Sequence, residues 1–427
     1  MSERRVVITG IGVLTALGVG AERTWSELLA GRSAVAQLQD YDATSLRTQL
    51  GAEITGLAER EFVDRRALRT MTRYDVLTTI AAVLAMRDSG LEVNDDPEGR
   101  FALFTGSGKE TSELENLEDP ALAVRGADGQ VDMRRFGEIV VTQVPPLFFI
   151  EGLQGAALFY ISAAYSLHGP NTHFAGTAEA GLTAIGRAFR AVRRGEADAA
   201  IAGGGDAPVC WWNMSKIDSL GLTTRRNDLG AGACRPYDRH RDGSVMGEGG
   251  AFVVLEEYEA ALRRGACCYA EITGFGSGTD IERLLSPDPT GRPLAEAIGH
   301  ALRDAGSDAG AIDYVAAHGS GTRRGDASES RALASVFGVD GDGPLGSSVK
   351  PATGHLGAAA GALNAAVAAL AIHHGAAPPT LNLHDPDPAC AGIPWLSGEP
   401  AEMTIREALA LARGLEGQNV ALTLRTV

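Results

Sequence analysis

Ile272-Thr273-Gly274-Phe275-Gly276 repeats the pattern of Ile8-Thr9-Gly10-Ile11-Gly12 near the start of the chain. In the first copy, Val6-Val7-Ile8 reads as a buried strand and Thr9 to Gly12 as a turn-rich continuation. The second copy starts at Ala270. Each copy opens a stretch that later contains a helix of small residues, about Ala178 to Arg194 in the first and about Leu356 to His374 in the second. Helices squeezed between sheets need Ala and Gly, because larger side chains would hold the layers apart. Two related halves are therefore expected, with residues 1–265 in one and 266–427 in the other.

Further strands and helices alternate as in an α/β fold. Ala199 to Ala202 is a short apolar strand ending in Gly203-Gly204-Gly205-Asp206, Ala251 to Leu255 is another, and Tyr314 to Ala317 runs up to His318. Ligand sites of α/β folds lie beyond the carboxyl ends of strands, which is where His318 falls. The polar, acidic stretch of about 108–144 lacks clean periodicity and reads as a capping insertion of short helices and loops.

The 427 residues carry 44% apolar side chains and 54 glycines, enough for one large or two fused α/β units. The formal net charge of −16 argues against nucleic acid and anionic membrane as partners. Cys210, Cys234, Cys267, Cys268 and Cys390 form no C-x-x-C pair, so a reduced, cytoplasmic chain without disulfide framework or metal is expected. No signal core and no membrane-spanning run is read from the sequence. Arg65, Arg66, Arg69 and Arg73 form either a docking patch for an acidic partner or a solvated helix face.

Three clusters bear on chemistry. Ala316-Ala317-His318-Gly319-Ser320-Gly321-Thr322, followed by Asp326 and Glu329, puts a glycine-framed histidine at a strand end with hydroxyls at alternate positions. Ser348-Val349-Lys350-Pro351-Ala352-Thr353-Gly354-His355-Leu356-Gly357 sets a lysine and a histidine at a helix N-terminus. The positive end of that helix should keep His355 neutral, and Lys350 should find a buried partner in Glu329. Arg235-Pro236-Tyr237-Asp238, Arg241-Asp242-Gly243 and Met246-Gly247-Glu248-Gly249-Gly250 read as a salt-bridged supporting loop.

These clusters resemble the His-Gly-Thr-Gly-Thr, Lys-x-x-x-Gly-His and Pro-Tyr-Asp-x-x-Arg-Asp-Gly motifs of β-ketoacyl synthases, including those of type II polyketide synthases. The opening Val-Ile-Thr-Gly-Ile-Gly and Pro378-Pro379-Thr380-Leu381-Asn382 resemble them too, in the family's order. The resemblance implies a thiolase fold: two pseudo-symmetric halves, each with a five-stranded sheet, in five α/β layers. It also implies a nucleophilic cysteine at a helix N-terminus, an oxyanion hole of backbone amides, and a malonyl unit decarboxylated with help from His318 and His355. Lys350 would order the site, Asp326 and Glu329 would support it, and Ser320, Thr322, Glu179 and Leu415 would lie against substrate. No cofactor is implied.

The sequence departs from this pattern where acyl transfer would occur. Counting back from Ala184-Ile185-Gly186, the nucleophile's place falls on Ala178, whose methyl cannot attack a thioester. Glu179 follows it, and a carboxylate there disfavours negative charge nearby. The family's Gly-Phe-Gly-Gly-x-Asn loop reads Gly414-Leu415-Glu416-Gly417-Gln418-Asn419. The expected role is thus that of a chain-length-factor-like subunit. It would pair as a heterodimer with an active ketosynthase and shape the tunnel for an acyl chain carried on the phosphopantetheine of an acyl carrier protein. Phe148, Phe149, Phe159 and Trp211 are the bulky side chains that could set tunnel size. Two rival readings are a noncovalent enzyme or malonyl-carrier decarboxylase using His318 and His355, and an elongating synthase with its cysteine changed to Ala178.

Overall fold

The computed structural model describes residues 4–427 apart from 94, 95, 97, 109–113, 145 and 339–342. The strands that form the frame are β1 (Val6–Thr15), β2 (Phe101–Ser107), β3 (Asn171–Ala175), β4 (Ala199–Asp206), β5 (Gly249–Glu257), β6 (Ala270–Thr279), β7 (Tyr314–Ala316), β8 (Leu345–Ser347), β9 (Glu407–Arg413) and β10 (Gln418–Arg425). The helices that cover them are α1 (Arg73–Ser89), α2 (Glu179–Arg193), α3 (Arg292–Ala305), α4 (Arg323–Phe337) and α5 (Ala360–His374).

Hydrogen-bonded neighbours follow the path β8-β7-β9-β10-β6-β1-β5-β4-β2-β3. The halves join where Val6, Val7 and Ile8 pair antiparallel with Ile272, Glu271 and Ala270. From that join outward, each half runs through its first, fifth, fourth, second and third strand. Strand directions repeat as well. The second strand is parallel to the third and fourth, and the fifth is antiparallel to the fourth and first. α1 covers the outer face of the first half, α3 and α4 that of the second, and α2 and α5 lie together between them. This is the α/β, five-layer, pseudo-symmetric architecture expected of a thiolase fold.

The five-residue repeat has a packing cause. Thr9 to Gly12 is not a turn, because β1 runs on to Thr15 and only a register shift marks the stretch between Ile8 and Gly10. The same shift falls between Ile272 and Gly274 of β6. A side chain at Gly10 or Gly12 would collide with the backbone of α1 at Ala85 and Ala81. At Gly274 or Gly276 it would collide with α3 at Ala301 and Ala297. Each pair of glycines lets a helix lie directly on the strand. Gly276→Ala is therefore expected to lower stability by about 2–3 kcal/mol, because the opposing atoms are backbone and cannot turn aside. A lower denaturant midpoint with an unchanged m-value is the expected readout.

The central layer is closer still. Gly181 of α2 faces Ala358 and Ala362, and Gly361 of α5 packs on Ala178, Leu182 and Ala412. Every residue from Ala360 to Ala371 is buried. One correction follows: Gly357–His374 is long and apolar enough to cross a membrane by length and composition, a run missed in the sequence, but 83% of it is buried inside the molecule.

Candidate active site

His318 lies two residues beyond the end of β7, held by contacts on three sides. Its amide donates to Glu329 Oε1 at 2.7 Å, and the Gly319 amide to Glu329 Oε2 at 2.8 Å. Tyr237 donates its hydroxyl to the same carboxylate at 3.0 Å. Lys350 Nζ donates to the His318 carbonyl. The expected Lys350–Glu329 ion pair is thus replaced: Glu329 is taken up by the two amides and the Tyr237 hydroxyl, and acts on Lys350 only through its charge. Burial is the larger effect and brings Lys350 down to about 8.

The two imidazoles stand edge to face with centroids 5.7 Å apart. The Arg413 amide donates to His318 Nδ1 at 3.3 Å, and the Gly357 amide donates to His355 Nδ1 at 3.2 Å. An accepting Nδ1 in a neutral ring leaves the proton on Nε2. Both rings are neutral, because burial and the nearby Lys350 charge push His318 well below its usual range and His355 down to about 3. His355 is neutral as expected, but its cause is burial first, rather than the helix end. Two Nε2–H donors therefore serve one cavity.

Asp326 and the Arg241 loop brace this half. Asp326 accepts from the amides of Tyr237 and Gly321 at 3.0 and 3.1 Å and lies 3.4 Å from Arg241 Nε. Arg241 also pairs with Asp387 at 2.6 Å. Ser320 and Thr322 line the cavity, but their hydroxyls bond each other at 2.8 Å, and Thr322 caps α4.

The first half contributes the N-terminus of α2. Ala178 is 1% exposed and does not line the cavity. Its carbonyl accepts from the Gly361 amide at 3.0 Å, tying α2 to α5. The wall beside it is formed by Gly176, Thr177, Gly414 and Leu415. Thr177 Oγ1 donates to Glu179 Oε2 at 3.0 Å and accepts from the Leu415 amide at 2.9 Å. Glu179 folds back over its own helix end, taking the Thr177 amide on both oxygens at 3.2 and 3.1 Å. Gly176 and Gly414 make room for it, since a side chain at either would collide with that carboxylate.

The cavity has a volume of about 350 Å³, and its lining includes His318, His355, Ser320, Thr322, Thr177 and Leu415. Sequence reasoning missed Thr177, Arg413, Asp206 and Asn364. Arg413 ends β9, and its buried guanidinium bonds Asn419 at 2.8 Å and Ser328 at 3.1 Å. Asn364 of α5 donates to Ala317 and Leu411, stitching β7 to β9 beside His318. An arginine ending an apolar strand and an asparagine inside an alanine-rich helix were the available signals. Among the four aromatics, Trp211 lines a neighbouring cavity of about 680 Å³, Phe159 is 65% exposed, Phe148 is partly buried, and the Phe149 side chain lies outside the described residues.

Asp206 ends β4 against the His355 turn, accepting from the amides of Ala207 and Ala358 at 2.9 Å each. Burial pushes it up from 3.8 to about 6. A carboxyl raised on folding contributes stability that is whole below its unfolded pKa and is lost as pH climbs through the folded one. Between pH 4 and pH 7 the wild type should lose on the order of 2–3 kcal/mol relative to Asp206→Asn. Parallel urea titrations of the two proteins across that range check it.

The fold and site define a protein of the thiolase-fold class, with two neutral histidines, a buried lysine and no cysteine at the helix end. The comparisons fix the group. Residues 3–261 match the N-terminal domain of beta-ketoacyl synthase and 269–384 the C-terminal domain, so the chain belongs to the beta-ketoacyl synthase family. It is 35% identical over 427 residues to the 3-oxoacyl-[acyl-carrier-protein] synthase 2 of Coxiella burnetii, covering 100% of both chains. It is also 35% identical over 422 residues to a Streptomyces violaceoruber protein named for granaticin polyketide beta-ketoacyl synthase 1, covering 99% of this chain and 98% of that one. Among solved structures it is similar to the ishigamide ketosynthase/chain length factor, with TM-score 0.87, 30% identity and 100% of both chains covered. A type II PKS acyl-carrier protein in complex with its ketosynthase bound to the hexaketide gives TM-score 0.87 at 27% identity, again covering 100% of both chains.

Proposed function

We propose that this chain is a non-elongating, chain-length-factor-like subunit that pairs with a cysteine-bearing ketosynthase and helps enclose an acyl chain delivered by an acyl carrier protein. One observation carries the reading. Ala178 supplies no nucleophile, and Thr177 Oγ1 already occupies the Leu415 amide that a thioester oxygen would need. β3 supports the pairing, because it ends the sheet, with only β2 beside it. Leu147, Ile150, Leu153 and Phe159 are exposed on the segment that leads into it. An open strand edge beside apolar side chains suits a second subunit of the same fold. Arg65, Arg66 and Arg69 remain exposed for an acidic carrier, whereas Arg73 turns inward to Glu248 at 2.7 Å. We also place the division between the halves near residue 265.

Co-expression with a cysteine-bearing ketosynthase is expected to give a one-to-one complex. Phe159→Glu should weaken it by at least about 30-fold in Kd, the effect of losing a central apolar anchor. A stable homodimer that elongates acyl chains by itself would overturn the reading.

The two neutral imidazoles favour a second reading, malonyl-carrier decarboxylation, in which their Nε2–H groups hold the thioester oxygen as the enolate forms. Malonyl-carrier protein incubated with the purified chain should then yield acetyl-carrier protein, and His318→Ala should abolish the yield. Product at the background rate removes this reading.

A further inference from the structure

We propose that Thr177 is an acyl acceptor, with Glu179 as its general base, so that the chain takes acyl groups from thioesters as an oxygen ester and releases them to water. This goes beyond the partner role, which needs no chemistry from this subunit.

Thr177, and not Ala178, lines the cavity that His318 and His355 also line. That hydroxyl points its proton at a carboxylate 3.0 Å away. Glu179 is 5% exposed and has no cation within salt-bridge reach among the described residues, so its charge is directed at Thr177 alone. A hydroxyl held by a positioned base is the arrangement that oxygen nucleophiles require. The Leu415 amide sits 2.9 Å from Oγ1. That amide is withheld from a thioester attacked at residue 178, but when Oγ1 itself bonds to the carbonyl carbon it gives up its hold on the amide, which then reaches the oxyanion one atom further on; no hydrogen bond occupies the Ala178 amide among the described residues. Two amides at the end of α2 can share that charge.

The step balances without a redox partner. Thr177 Oγ1 bonds to the thioester carbonyl carbon as its proton passes to Glu179. Collapse of the adduct breaks the C–S bond, and the thiolate takes the proton from Glu179, leaving an ester on Thr177 and a free thiol. Water then attacks the ester and gives its proton to Glu179. The C–Oγ1 bond breaks, Thr177 regains the proton, and a carboxylic acid leaves. Such a reaction would clear stalled chains from a carrier.

The full chain is incubated with the octanoyl thioester of N-acetylcysteamine, while thiol release and intact mass are followed. The expected result is thiol release with one octanoyl group on the peptide that contains Thr177. The bond should survive neutral hydroxylamine, which strips thioesters from cysteine. Glu179→Gln should slow release about 100-fold or more, Thr177→Val should abolish it, and Thr177→Ser should keep it and report that the site still folds. Release in Thr177→Val at the wild-type rate overturns the proposal. So does an adduct removed by hydroxylamine, or neither adduct nor release in the wild type. Thr177→Val should still bind the partner ketosynthase, so failure here and failure of the partner reading are read separately.

Discussion

Glu329→Gln is expected to lower stability by about 3–5 kcal/mol, the range for breaking a buried charged network by removing one member. Glu329 is 0% exposed and accepts from the His318 and Gly319 amides and the Tyr237 hydroxyl. An amide has one oxygen to offer these donors, and its own N–H₂ meets a donor on the other side. The larger loss is charge. Lys350 is 2% exposed, and Glu329 is the main source of opposing charge. The pH dependence separates the two effects. Lys350 falls from 10.5 to about 8 on folding even with Glu329 present. The folded chain then binds fewer protons than the unfolded one between about pH 8 and 10.5, and stability rises with pH across that window. Without Glu329 the window opens below pH 8, because the buried ammonium sheds its proton sooner. The gap between wild type and variant should therefore narrow from pH 7 to pH 9. In Glu329→Gln/Lys350→Met, more than half of the loss should return. A gap that stays constant with pH would show that the hydrogen bonds, not the charge, carry the effect.

The fold was legible because its causes are local. The glycines of β1 and β6 are forced by helices lying on the strands, and the alanines of α2 and α5 by the narrow space between the sheets. Those constraints leave a mark at the residue that bears them. His318, Lys350 and His355 were legible for a similar reason, since they stand in short motifs at strand and helix ends. Their partners were not. Glu329 was assigned to Lys350 on charge alone, but backbone amides compete for a buried carboxylate and won it. Thr177 was invisible because its role depends on Leu415, 238 positions later in the chain. Asp206 and the His355 turn are likewise joined only by folding, across 152 positions. Contacts that close between halves have no sequence period to announce them.

Ala178→Cys is expected to leave residue 178 almost unable to take an acyl group as a thioester. A thiol at residue 178 would stand at the end of α2, where the helix field favours a thiolate. Glu179 opposes it, because a carboxylate folded over the same helix end penalises a second negative charge. The thioester oxygen also loses a donor, since the Leu415 amide is engaged by Thr177 Oγ1. One missing oxyanion donor costs about 10²–10³ in rate. Thr177→Ala/Ala178→Cys/Glu179→Gln frees that amide and removes the charge. It should accept an octanoyl group from an octanoyl-carrier thioester about 10³ times faster than Ala178→Cys. Thioester formation on residue 178 is read by intact mass and by its loss in neutral hydroxylamine. The comparison also separates two histories of the site. If Ala178→Cys is acylated as fast as the triple variant, the surrounding pocket is intact and the chain is an elongating synthase with one residue changed. If only the triple variant is acylated at residue 178, Thr177, Glu179 and Ala178 form one reworked unit, and restoring the sulfur alone cannot restore the reaction.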